Sequence, residues 1–80
     1  MKYNYERDIL PTMQAASNGK EITVPDCYEA FERSSNPVIR RYMPSMRTNK
    51  KRSCGWVDDR LRYMRESGMI EKPSPGRYIA

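Results

Sequence analysis

Histidine is absent from this 80-residue chain, and the absence removes a set of chemistries at once. A Ser-His-Asp or Cys-His triad cannot be built, and neither can a His-ligated metal site. Cysteine is scarce: Cys27 and Cys54 are the only two, 27 positions apart. No CxxC pair and no four-thiolate metal site can be drawn from them. Long apolar runs are missing too. The longest stretch without a charged residue, residues 9–19, is broken by Pro11, Asn18 and Gly19, so no transmembrane helix fits. The opening MKYNYERD lacks the apolar segment of a signal peptide. A reducing, cytoplasmic setting is therefore the expectation, with both thiols packing as small hydrophobes rather than pairing. No metal, no cofactor and no membrane contact is expected, and catalysis is not the expected role. Asp58 and Asp59 are adjacent, so on a helix their side chains diverge by about 100°. A nuclease needs more carboxylates converging on a metal.

What the chain does contain is charge, unevenly spread. The formal net charge is +5, from 15 Lys and Arg against 10 Asp and Glu. Residues 1–32 carry a net −3, residues 58–80 a net +1. Residues 33–57 hold Arg33, Arg40, Arg41, Arg47, Lys50, Lys51 and Arg52 with no acid, a net +7. Unopposed positive charge on one segment of a small molecule concentrates potential there and favours a polyanionic partner. A solvated loop that only aids solubility is the competing reading of the same stretch. Eighty residues with 38% apolar content allow one domain, residues 1–80, with a single small core and little stability to spare.

Along the chain, residues 5–16 read as a helix capped by Asn4, with Ile9, Leu10, Met13 and Ala16 on one face. Pro11 either kinks that helix or starts it near Leu10. Ser17-Asn18-Gly19 stops it. Glu21 to Val24 reads as a short β segment, and residues 25–33 as a second helix turning Cys27, Ala30 and Phe31 inward, with Thr23 or Val24 near its cap. Asn36-Pro37 breaks the chain again. Residues 38–43 form a helical turn carrying Arg40 and Arg41, and residues 44–51 are loop-like. Ser53 then caps a helix that ends at Ser67 with Gly68 beyond it. Val57, Leu61 and Met64 make its core stripe, flanked by Trp56 and Tyr63. Two short runs separated by Pro73-Ser74-Pro75-Gly76 make a β-hairpin.

Residues 57–80, VDDRLRYMRESGMIEKPSPGRYIA, carry a resemblance. The positions Val57, Leu61, Met64, Gly68, Met69, Ile70, Gly76, Tyr78 and Ile79 resemble the recognition-helix and wing signature of winged helix-turn-helix DNA-binding proteins. With the Ser53 start, the spacing is similar to GntR-type repressors. The segments ILPTM (residues 9–13) and MPSMR (residues 43–47) resemble the N-terminal winged-helix domain of Mrr-type restriction proteins. The resemblance implies an α+β winged helix-turn-helix of about three helices, with a small antiparallel sheet formed by a short strand and the C-terminal wing hairpin. It also implies a mode of binding, in which the recognition helix enters the major groove by its N-terminal half and the wing touches the flanking backbone. Carried onto this chain, the DNA-binding candidates are Asn49, Lys50, Lys51, Arg52, Ser53 and Arg60 on and before that helix. Lys72, Ser74 and Arg77 are the candidates in the wing. Arg40, Arg41 and Arg47 in the basic stretch complete the set, and Trp56 is either a surface contact or part of the core.

Asp58 and Asp59 depart from the GntR-type pattern, which commonly has bases there. They are either first-turn acids favoured by the helix dipole, partners of Arg62 and Arg65, or, for one of them, an acceptor for cytosine. The expected protein is a small regulator of a phage or mobile element, a bare single domain that binds double-stranded DNA at the nucleoid or in a host cytoplasm. Such readers often work as homodimers. The alternative is a winged-helix interaction module that binds a host protein through Trp56 or the acidic N-terminal surface.

Overall fold

The computed structural model describes residues 3–44 and 47–80. Its chain begins with a π-helical turn at Tyr5–Ile9, in which the Asn4 carbonyl accepts from Asp8 N at 2.7 Å and Ile9 N at 3.3 Å. Leu10 N donates to the Tyr5 carbonyl, and the donor after it would be Pro11, which has no N–H. The wide turn ends there and Pro11 enters the first turn of α1, Leu10–Ser17. The expected single helix over residues 5–16 is therefore two pieces. Asn4 still caps it, its side chain accepting from Arg7 N at 2.9 Å. Asn18 closes α1 in the left-handed conformation at φ 50°, which Asn tolerates better than most residues.

A two-residue strand β1, Ile22–Thr23, leads into α2, Val24–Glu32. Thr23 and Asp26 form a reciprocal capping box: the Thr23 N–H and hydroxyl donate to the Asp26 carboxylate at 3.1 and 2.8 Å, and Asp26 N donates back to the hydroxyl at 3.4 Å. Asn36 caps the short helix α3, Pro37–Tyr42, accepting from Val38 N and Ile39 N. The 17-residue α4, Lys50–Glu66, follows. Then come β2, Glu71–Ser74, and β3, Arg77–Ile79. Among the described residues four α-helices stand where about three were expected, because residues 37–42 make a helix rather than an isolated turn. The class is α+β.

The three strands form one antiparallel sheet in the order β1-β3-β2, with Ile22 opposite Tyr78 and Thr23 opposite Arg77. β2 pairs Glu71 with Ile79 and Ser74 with Arg77, so the register shifts between the two pairs. Pro73 lies in that interval, where a residue without an N–H is tolerated. Gly76, at φ 76°, follows Pro75 at the hairpin tip, the residue order of a type II turn. Its carbonyl accepts from Val24 N at 3.1 Å, tying the hairpin to the start of α2. The buried Ser17 hydroxyl donates to Lys20 O and accepts from Ala80 N, joining the end of α1 to the chain's last residue.

The inner stripe of α4 forms part of one buried core. Val57, Leu61 and Met64 are buried with Ile9, Met13, Cys27, Phe31, Ile39, Ile70 and Tyr78. Val57, Leu61 and Met64 are the expected stripe, and Cys27 and Phe31 the expected inner face of α2. Ala30 and Leu10 are only half-buried. Burial pushes the Cys27 thiol up to about 12, helped by the carboxylates of Asp26 and Asp58, so Cys27 stays a neutral packing group. Both cysteines are free. Among the described residues no helix is long and apolar enough to cross a membrane.

One polar group is as deeply placed as the core. Asp8, an acid in the first turn after Asn4, is 3% exposed. It accepts from Arg7 Nη2 at 2.8 Å, Asn4 N at 2.8 Å and Asn36 Nδ2 at 3.0 Å, and so pins the N-terminal turn to the α2–α3 connection. The Arg7 guanidinium, with Asn36 and Asn4, holds the Asp8 carboxyl well below the usual carboxylate range, against burial working the other way. A depressed folded-state pKa stabilises the fold above the unfolded value near 4, and that stabilisation disappears as pH falls towards the folded value. Asp8→Ala is expected to lower stability by about 1–3 kcal/mol in denaturant titrations at neutral pH, because it removes the shared acceptor of three part-buried hydrogen bonds. Asp8→Asn should flatten the loss of thermal stability that the unsubstituted protein shows below about pH 4.

Candidate nucleic-acid interface

α4 starts at Lys50, three residues before the expected Ser53 start, and this changes what the basic run is. The cap is Asn49, whose side-chain oxygen accepts from Arg52 N at 3.2 Å. Lys50, Lys51 and Arg52 are therefore the first three helical residues, with no acid in that turn. All three are exposed, and none makes an ion pair or side-chain hydrogen bond among the described residues. Arg52 occupies the position at which α2 has Asp26 in its capping box. The positive end of a helix dipole repels cations, by about 0.3–1 kcal/mol each at low salt. The first turn of α4 thus carries three charges of the sign its backbone disfavours, and no neighbour neutralises them.

Ser53 does not belong to this surface. It is fully buried, and its hydroxyl donates to the Lys50 carbonyl at 2.9 Å. Asn49 is exposed but engaged as the cap, so reading a base with its amide would mean releasing Arg52 N. Arg47 is exposed just upstream. The MPSMR segment that contains it also includes Ser45 and Met46, which lie outside the described residues. Arg40 and Arg41 are exposed in the last turn of α3, where cations complement the helix dipole. Their placement has a sufficient structural reason of its own.

Arg60 is drawn into the protein. Its guanidinium carbon lies 5.2 Å from the Tyr3 ring centre and 5.1 Å from that of Trp56, and its Nε is buried without a hydrogen-bond partner. Trp56 in turn meets Phe31 edge-on at 6.0 Å and Tyr3 at 5.7 Å, so it joins the edge of the core. Tyr5 stacks on Tyr63 at 4.2 Å in the same cluster. The cationic head of Arg60 is held by ring faces, a use that a helical position alone does not reveal.

Asp58 and Asp59 also find partners. Asp58 accepts from the Tyr28 hydroxyl at 2.7 Å, bridging α2 and α4; burial, and after it this bond, raises the Tyr28 pKa. Asp59 pairs with Arg62 at 3.4 Å. Neither is a first-turn acid, since α4 begins eight residues before Asp58. The Arg62 pairing is as expected, whereas Arg65 is not the partner of Asp58.

Arg65 lines a shallow depression with Lys72, Pro73, Ser74 and Pro75 along the β2 side of the hairpin, a grouping the sequence reading missed. Its signal was position alone: the last basic residue before the helix stop at Gly68. Lys72 Nζ lies 5.8 Å from the Tyr78 ring centre. Arg77 helps lower the Asp26 pKa, after the Thr23 hydrogen bonds, so part of its charge faces an acid. The candidate cations thus fall into two groups. Lys50, Lys51 and Arg52 stand at one end of α4, and Arg65 and Lys72 at the other, about 21 Å along the helix axis.

No group of three or more metal-ligating side chains occurs among the described residues. No protein-family model, curated protein or solved structure matches the chain.

Arg60→Ala is expected to lower stability by about 1–2 kcal/mol through loss of its contacts with Tyr3 and Trp56. Thermal unfolding checks this, and the change should leave the salt dependence of any polyanion binding unaltered.

Proposed function

We propose that the protein is a small winged helix-turn-helix regulator that binds duplex DNA through the first turn of α4, with the β2–β3 hairpin as wing. The observation that carries this reading is the exposed, unpaired Lys50-Lys51-Arg52 turn at the end of a helix whose dipole opposes it. Such an arrangement weakens the fold and is favourable only when an anion is present. The element order supports the same reading: helix, strand, helix, helix, helix, then a hairpin whose second strand lies between the other two. Phosphates bind Lys and Arg at the helix start, and Arg52 is free to take two bonds to a guanine edge. Arg65, Lys72 and Arg77 contact the flanking backbone. Ser53 and Arg60 drop out of the interface.

A second reading rests on a separate observation. Tyr63 is 48% exposed and Tyr42 is 36% exposed beside Trp56 and Tyr5, and aromatic surfaces of this kind serve protein partners. Recovery of one stoichiometric protein on this face from a nuclease-treated lysate, with no affinity for duplex, would favour it.

About six phosphate contacts give a log–log slope of affinity against salt near −5. Replacing Lys50, Lys51 and Arg52 together by Ala should abolish measurable duplex binding at physiological salt and leave the melting temperature equal or higher. Fluorescence anisotropy with a labelled duplex, alongside thermal melts, measures both. An affinity indifferent to ionic strength would rule the reading out.

A further inference from the structure

Gly55 stands inside α4, in its second turn, with exposed helical neighbours and no structural reason for being glycine. Its φ is not in the left-handed region, and a Cβ built on it meets nothing within 4 Å. The other three glycines all have positive φ, which explains them. A glycine in a helix interior costs about 1 kcal/mol relative to alanine, and here no close packing, kink or cap offsets that. At 100° per residue, Gly55 lies roughly opposite the buried Ser53–Val57–Leu61–Met64 stripe, on the outer line shared with Asp59, Arg62 and Glu66. It is one turn beyond Lys51 and Arg52. The absent side chain therefore leaves bare helix backbone at the centre of the outer face, flanked on its N-terminal side by unpaired cations.

We infer that Gly55 is the point of closest approach between α4 and its partner, where one strand of a duplex lies in contact with the helix main chain. This rests on the DNA-binding reading and adds to it a docking geometry. A Cβ at position 55 would stand between the helix and the strand and push the Lys51 and Arg52 heads away from their phosphates. Asp59, the next residue on the same line, sets the limit of the contact. Its carboxylate repels phosphate and is only partly offset by Arg62 at 3.4 Å. The helix thus meets the strand with its first two turns and diverges from it before Asp59. That polarity orients α4 on the duplex, N-terminal end in.

The experiment compares the unsubstituted protein with Gly55→Ala, Gly55→Leu and Glu66→Ala on one labelled duplex of random sequence. Thermal melting is measured on each protein. Gly55→Ala should raise the melting temperature by about 4–8 °C, since it removes a helix-interior glycine and its methyl meets no neighbour. It should at the same time weaken duplex binding about tenfold, the effect of a displacement on the order of a core overpacking. Gly55→Leu should weaken binding further. Glu66→Ala, three turns along the same line, should bind as well as the unsubstituted protein or slightly better. Unchanged affinity in both Gly55 variants overturns the inference while leaving the DNA reading intact. A lower melting temperature in Gly55→Ala also overturns it, by exposing an intramolecular role for the glycine. Failure of the unsubstituted protein to bind duplex overturns both.

Discussion

The fold depends on the burial of one face of α4. Val57, Leu61 and Met64 share one buried cluster with Ile9, Met13, Cys27, Phe31, Ile39, Ile70 and Tyr78, which come from the N-terminal turn, α1, α2, α3 and the hairpin region. A domain of this size has a total stability of roughly 4–12 kcal/mol, and each buried aliphatic side chain contributes about 1.5–3 kcal/mol. A few side chains on one helix therefore decide whether the molecule is folded. A helix of 17 residues is about 25 Å long, in a molecule whose longest extent is 31 Å. With its inner face committed to the core, its outer face and its two ends are what α4 has left for function.

That constraint separates the helix into parts that obey local rules and a part that does not. The inner face is regular, and the Tyr28–Asp58 bond and the Asp59–Arg62 pair support the middle. The first two turns are different. They carry three cations at the positive end of the dipole and a glycine that fills no tight space. Where local preference and fold disagree, the disagreement usually marks a functional surface. Here both exceptions lie on the exposed N-terminal end. The proposed duplex contact accounts for them with a single partner: the cations gain phosphates, and the missing side chain gives the strand access to the backbone.

Much of the framework was legible from the sequence because it is local. The Asn18-Gly19 stop, the Thr23 cap, the Val57–Leu61–Met64 spacing and the Pro75-Gly76 turn each depend on neighbours within a few positions. The start of α4 was misplaced for an equally local reason: Asn49 and Ser53 are both good caps, and Lys and Arg propagate a helix readily. Choosing Asn49 buried Ser53 and turned a basic loop into a helical turn. What the sequence hid is long-range. Asp8 looks like any first-turn acid until Asn36, 28 residues on, donates to it. Asp58 is bonded to a tyrosine 30 residues away. Arg60 lies on a helix surface by periodicity and between two aromatic rings in space. Burial of the charge over rings that come from Tyr3 and Trp56 has no signature in spacing.

The site shows the same division. The basic stretch was readable from charge alone, since no acid interrupts residues 33–57, but which of the candidate side chains stand exposed was not. Ser53 and Arg60 left the candidate set, and Arg65 joined Lys72 and Ser74 at the far end of α4. The most direct test of the central claim is a titration of unlabelled duplex DNA into isotopically labelled protein, followed by backbone amide chemical shifts. The claim predicts that the largest changes fall on Asn49 to Gly55, with a second, smaller set on Arg65 and the hairpin. Changes concentrated instead on the aromatic face around Tyr42 and Tyr63, or on the α1–α2 face, would contradict it.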